Sequence, residues 1–238
     1  MTKMGTQVVC LNGEAVCRVL PFALFMAFIA IQDLLGIGTT SGWLALPHTT
    51  DLYLYPLRAL SVGALLYWYR GHYQELRFEE LREWRTTVAV TLTGLFTFLL
   101  WISLDGTLPV APPPSGFRPD LLPEGPVRML ITAVRVAGSV LVVPVMEELF
   151  WRSFLLRYLV RERFLSVPIG AFSWGSFLLT TVLFGLEHHQ FWAGMAAGAI
   201  YNLVCYKTRS ITFCVLAHAV TNLALACYVL STSKWYYW

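Results

Sequence analysis

Three short stretches of this chain place groups capable of proton transfer inside apolar sequence. The first, VLVVPVMEELFWRSFLLRYLV, carries Glu147, Glu148 and Arg152 in its middle. The second, FGLEHH, ends an apolar segment with Glu187, His188 and His189, and the third, LAHAVTN, sets His218 four residues before Asn222. An ionisable side chain at bilayer depth costs about 2.5–3.5 kcal/mol on insertion scales, so three together in the first stretch point to a site. Carboxylate, imidazole and amide groups converging in one low-dielectric space are what hydrolysis needs: groups that activate a water, and donors that hold the oxyanion.

Helical spacing separates the roles. Glu148 and Arg152 are four apart and share a helix face, where they can pair and neutralise each other away from water. Glu147 points about 100° away with no local cation and is the expected general base. A buried ion-pair network of both glutamates with Arg152 is the competing reading of this stretch. Phe184 precedes His188 by one turn and can wall its imidazole from lipid. Glu187, His188, His189 and Gln190 also fit an interfacial turn where a helix leaves the membrane, with His189 read as the interfacial residue. His218 and Asn222 project from one face and suit oxyanion stabilisation, while interhelical hydrogen bonding is the alternative for them.

The elements that must position these groups are membrane helices. Hydrophobic residues make up 57% of the 238 residues and charged residues 13%, against about 25% charged in ordinary soluble domains. The expected fold is all-α, a polytopic transmembrane bundle of seven to eight helices. Apolar segments fall at about 18–35, 52–69, 86–104, 127–161, 169–187, 190–206 and 210–231. Residues 1–126 read as accessory N-terminal transmembrane helices and a proline-rich loop, and 127–238 as a catalytic bundle. The stretch from Asp105 to Pro126 is too rich in proline for a continuous helix, and a kink at Pro144 or a protruding end is expected in the long 127–161 segment. Lys3 and Arg18 precede an apolar stretch without a clean cleavage pattern, which reads as an uncleaved first span.

Arginine and lysine at 70–85, 157–163 and 207–209 put those loops together on the cytoplasmic side. Rise per residue then sets Glu147 about 21 Å from Arg161, His188 about 27 Å from Gly170, Asn222 about 18 Å and His218 about 12 Å from Ser210. Tilt or a re-entrant segment must close the remaining gap. The formal charge of +3, with basic residues in short loops, argues against nucleic-acid binding. The five cysteines form no C-x-x-C pair, and those at 205, 214 and 227 read as buried apolar residues.

EELFWR, FGLEH and HAVTN in that order, on successive apolar helices between about Val140 and Leu230, resemble the E-E-x-x-x-R, F-x-x-x-H and H-x-x-x-N motifs of the CAAX protease and bacteriocin-processing family of intramembrane proteases. The glycine-spaced segment GMAAGAIYNLVCYKTRSI between the second and third motifs is also similar to that family, where small residues allow close packing. The resemblance implies a glutamic-type endopeptidase in which residues matching Glu147 and His188 activate a water. Those matching His218 and Asn222 hold the oxyanion, with Glu148, Arg152 and Phe184 in support. It implies a membrane-associated protein or peptide substrate, lipidated in prenyl proteases, no cofactor and no metal. Bacterial relatives, the exosortase-associated subgroup among them, suggest a bacterial inner membrane location. Two rivals stand beside it: a zinc protease using Glu147, His188 and His218, disfavoured by the missing H-E-x-x-H, and a non-catalytic scaffold or bacteriocin-immunity protein. Transport is disfavoured by the lack of an inverted repeat.

Overall fold

A computed structural model describes residues 13–47, 49–104 and 116–238. Seven helices account for the described architecture, with no strand among the described residues: α1 (Gly13–Thr40), α2 (Thr50–Trp68), α3 (Trp84–Ser103), α4 (Pro126–Tyr158), α5 (Trp174–Leu186), α6 (Phe191–Thr208) and α7 (Ile211–Thr232). The protein is an all-α bundle. α1, α3, α4 and α7 are long and apolar enough to cross a membrane. α5, with 13 residues, spans about 20 Å and is short of the ~30 Å hydrocarbon thickness.

Its outer faces carry large apolar side chains such as Leu34, Leu60, Leu99, Leu130 and Leu178, all exposed. Such a surface is stable against lipid tails, where every helix satisfies its own backbone hydrogen bonds. Exposed Trp68, Trp84 and Trp174 lie at helix ends, the position where an indole meets both headgroups and hydrocarbon.

The basic segments gather at one end of the bundle, as the charge distribution predicts. Arg18 near the start of α1 donates to Glu75 at 2.7 and 2.9 Å and to Ser153 of α4 at 3.1 Å. The connection after α2 also meets the start of α7. There the Arg77 amide donates to Thr212 at 2.8 Å, and Ser210 hydrogen-bonds Glu80. Ser210 in turn caps α7 by accepting from the Phe213 amide, satisfying a donor that the helix start leaves open. The chain at 70–83 therefore folds beneath the first turn of α7, and that turn begins inside the bundle. This accounts for the short axial count to His218.

Besides a second widened stretch of α4 at Leu149–Leu155, two regions depart from the expected helices. Ser173, whose hydroxyl caps the Ser176 amide, starts α5 four to five residues later than apolar composition predicts. Counted from Trp174, His188 lies about 21 Å along, the same rise as that expected for Glu147. The second is Pro144. Helix α4 continues through it, but the backbone widens over Gly138–Val142, where the Val143 amide reaches back to Gly138 O. In that register the amide that would reach Ser139 O belongs to Pro144, which has none. The widened turn thus frees the Ser139 carbonyl. Of the proline-rich connection, residues 105–115 lie outside the described residues, as do Lys3 and Cys10; from 116 onward only the short helical turn Pro119–Leu121 precedes α4.

Candidate active site

Helix α4 carries Glu147 and Glu148 side by side into different surroundings. Glu148 is fully buried, and its Oε1 accepts from Arg152 Nη1 at 2.9 Å. The same oxygen lies 2.9 Å from His218 Nδ1, so the pairing expected from the spacing of four holds and extends to α7. Arg152 spends its other donors on α6, giving Nε to Asn202 Oδ1 at 3.2 Å and Nη2 to Gly198 O at 3.1 Å. Asn202 passes the network to α5 through Thr180 and Thr181, at 3.0 and 3.3 Å. Phe184 lies 4.6 Å from the Arg152 guanidinium carbon, so one planar cation joins α4, α5 and α6 by hydrogen bonds and an aromatic face.

Glycine sets how closely α5 and α6 approach. A Cβ on Gly185 would stand 2.9 Å from Phe191 O, one on Gly194 3.1 Å from Gly185 Cα, and one on Gly198 3.0 Å from Phe184 Cβ. The small-residue spacing expected to permit close packing does so here, and it carries the α5–α6 turn into the bundle. His188 sits in that turn. Its Nδ1 lies 2.7 Å from Phe184 O; a carbonyl only accepts, so Nδ1 carries the hydrogen and Nε2 keeps a lone pair. The Phe184 ring packs 4.9 Å from the imidazole and Trp101 of α3 meets it edge-on at 5.2 Å. His189 is exposed.

The same turn brings in Glu187. Its side chain is only 10% exposed. Ligand atoms of Glu147, Glu187 and His188 all lie within 4.8 Å of one another. Glu147 Oε2 and both Glu187 oxygens are buried without a hydrogen-bond partner. Two carboxylates facing each other out of water repel strongly, and a proton or a cation shared between them relieves it. This cluster is the set of described side chains at the site that could hold a divalent cation. It differs from the zinc set expected from sequence, because Glu187 takes the place of His218, whose Nδ1 is engaged with Glu148.

On α7, Asn222 donates Nδ2 to Ser139 O at 2.8 Å, the carbonyl freed by Pro144. One amide hydrogen is thereby fixed and the second remains for another acceptor. His218 stacks on Tyr201 of α6, centroids 4.9 Å apart. With Nδ1–H committed to Glu148, the ring donates from Nε2 only when it carries both protons.

Glu147, His188, His218 and Asn222 line one cavity of about 230 Å³. Phe184 lines it as well, together with Glu187, Trp101 and Tyr201, while Glu148 and Arg152 stand behind the wall. Glu187, Trp101 and Tyr201 were not among the residues expected from sequence. Glu187 was visible only as part of a motif that also fits an interfacial turn, and the two aromatic residues carry no signal beyond apolar helix.

Residues 129–224 match the family described as type II CAAX prenyl endopeptidase Rce1-like. The match overlaps the three motifs and supports the CAAX protease and bacteriocin-processing family, and with it a CAAX-type intramembrane protease function and a protein substrate. No curated protein and no solved structure matches the chain.

Proposed function

We propose, with that family match as the premise, that this integral membrane protein is a peptide hydrolase in which Glu147 and His188 activate a water held between them. The observation that carries the reading is the carboxylate of Glu147 beside the His188 imidazole, with an unpartnered buried oxygen, in a cavity that also holds donors from α7. Water donates one hydrogen to Glu147 and the other as a hydrogen bond to His188 Nε2, and its oxygen attacks the peptide carbonyl carbon. The resulting oxyanion is held by the free Asn222 amide hydrogen, beside His218, whose ring Glu148 orients from behind. The proton on Glu147 then passes to the amide nitrogen as the C–N bond breaks, returning the carboxylate. Glu187 is a positioning residue here, sharing a proton with Glu147 so that the pair holds one negative charge rather than two.

The substrate in this reading is a membrane-associated protein whose C-terminal part enters the bundle, and the bacterial cell membrane is the proposed location. The test is mass spectrometry of membrane proteins from cells expressing the unsubstituted chain or Glu147→Gln at equal levels. A new C-terminus present only with the unsubstituted chain is expected, and identical peptide sets refute the proteolytic reading.

A metal-dependent reading has one specific observation behind it, the approach of Glu147, Glu187 and His188 ligand atoms to within 4.8 Å. Two carboxylates and an imidazole would leave positions open for water and substrate. Chelator treatment separates the two readings. Turnover unchanged in chelator is expected from the water held by Glu147 and His188, whereas loss restored by zinc would establish the metal site.

A further inference from the structure

Another set of metal-ligating side chains lies outside the cavity, where the first turn of α1 meets the connection after α2. Glu14 and Cys17 are three apart on α1 and share a face, and His72 reaches them from the short turn Arg70–His72. One ligand atom from each of the three lies within 4.8 Å of the other two. His72 Nδ1 is 3.0 Å from Glu14 Oε1. Cys17 is fully buried, and its thiol donates to the Glu14 carbonyl at 3.2 Å. The His72 and Glu14 side chains are 49% and 37% exposed, so sulfur forms the floor of the group and the other two donors an open rim.

A half-exposed contact between Glu14 and His72 is by itself worth little. The thiol changes the chemistry. Sulfur, imidazole nitrogen and carboxylate oxygen are the three donor types that zinc takes, at about 2.0–2.3 Å, which sets donors around a tetrahedral ion about 3.5 Å apart. Small movements of the two exposed side chains bring the group to that spacing. Calcium and magnesium, which take oxygen, are a poor match for a set with a single carboxylate.

Arg18 is the cation that faces this group. Its Nη1 donates to Glu14 Oε2 at 2.9 Å and to Cys17 Sγ at 3.4 Å. Glu75 accepts from its Nε and Nη2 at 2.7 and 2.9 Å, and the His72 carbonyl accepts from Nη2 at 2.9 Å. Glu75 therefore balances the guanidinium charge before Glu14 is counted. Glu14 and a Cys17 thiolate then bring two negative charges, the complement of a divalent ion. Arg18 holds Glu14 Oε2, leaves Oε1 facing His72 and donates toward the sulfur, so it orients two ligands from behind as an outer partner of a metal site does. Without metal, a hydrogen occupies the 3.0 Å gap between Glu14 and His72. On binding, zinc takes that place, the imidazole keeps its hydrogen on Nε2, and the S–H bond of Cys17 gives its proton to solvent as the S–Zn bond forms.

We propose that Glu14, Cys17 and His72 bind one zinc ion, with water in the fourth position. The ion fastens the first turn of α1 to the connection that runs beneath α7. Phe25, Met26 and Ile29 of α1 line the catalytic cavity, so zinc holds one cavity wall from outside without touching the reacting groups. The site stands independently of the proteolytic reading.

The test is cobalt(II) titration of the full chain, purified metal-free and reduced, in phosphatidylcholine nanodiscs. Cobalt accepts the same tetrahedral geometry, and a bound thiolate gives it a charge-transfer band in the near ultraviolet that carboxylate and imidazole ligands do not. One equivalent with that band is expected, displaced by zinc. Cys17→Ser should remove the band, and His72→Ala should weaken binding by at least about 10-fold, the lower end of the loss caused by removing even an outer partner of a ligand. Glu147→Gln should leave band and affinity unchanged. Zinc should raise the unfolding midpoint of the unsubstituted chain and not that of His72→Ala. No thiolate band in the unsubstituted chain overturns the site even where the Cys17 variant fails to fold. A band that persists in Cys17→Ser, or full affinity in His72→Ala, whose half-exposed ring can be removed with little loss of packing, overturns it as well. Cobalt bound without the band and lost in Glu147→Gln would place the ion among Glu147, Glu187 and His188 and likewise overturn it. Turnover is not read in any arm, so failure of this site and failure of the proteolytic mechanism are told apart.

Discussion

Glu147 and Glu148 are neighbours in sequence, yet the regions they enter are opposites. Around Glu148 the polar groups close on one another: Arg152, His218, Asn202, Thr180 and Thr181 form a chain of hydrogen bonds across four helices. Around Glu147 the groups are brought together and left open, with Glu147, Glu187 and His188 within 4.8 Å and three carboxylate oxygens unpartnered. A network in low dielectric that leaves one oxygen open, Glu148 Oε2, holds a fold together, whereas two facing carboxylates with three open oxygens cost free energy unless a ligand, a proton or a cation completes them. The contrast teaches a division of labour: the region of Glu148 fixes the geometry and the region of Glu147 does the chemistry.

That division can be broken first at Arg152. Arg152→Leu leaves Glu148 buried without its cation and should destabilise the protein by about 3–5 kcal/mol, read as a lower unfolding midpoint in detergent. Replacing both partners, as Glu148→Gln with Arg152→Met, should cost less than Arg152→Leu, because no lone charge remains. Should Arg152→Leu melt with the unsubstituted chain while turnover is lost, Arg152 would belong with the chemistry and the contrast would fail.

Asn222 tests the boundary between the two regions. Asn222→Ala should slow cleavage by on the order of 10² to 10³, the usual effect of losing one oxyanion donor, with the protein still folded. A stability loss with unchanged turnover would instead make its bond to Ser139 O a packing contact, since that bond also ties α7 to α4.

The smallest effect is expected at His189. The ring is exposed, and His189→Ala should change stability by no more than about 0.5 kcal/mol and keep most turnover. His188→Ala at equal expression should abolish most of it. Equal losses from both would mean that the two rings act together.

Much of this arrangement was legible in sequence, and the gaps have physical causes. The spacing of four between Glu148 and Arg152 gave their ion pair directly, because helix geometry fixes it. Apolar length located all seven helices. It overran the start of α5, where Ser173 caps the helix inside otherwise continuous apolar sequence, and this misjudged the depth of His188. Pro144 signalled a break, but the outcome was a wider turn whose freed carbonyl meets Asn222, a result that depends on what α7 presents there. Glu187 was ambiguous because a turn at the membrane surface and a turn inside the bundle have the same local sequence; only the glycine contacts between α5 and α6 bring it inward. Glu14 and Cys17 share a turn of α1, but His72 comes from beyond α2, so no local spacing joins the three.

The central claim is tested most directly at Glu147 itself, by measuring thermal stability and substrate cleavage of Glu147→Gln in the same membranes as the unsubstituted chain. Glutamine keeps the shape and hydrogen-bonding capacity of the side chain but cannot accept the water's proton. Cleavage should fall by about 10² to 10⁴, the range of general acid–base contributions, while the unfolding midpoint stays level, because the glutamine amide can donate to Glu187 in place of the shared proton. Cleavage that survives the substitution, or that disappears only because the protein unfolds, would contradict the account.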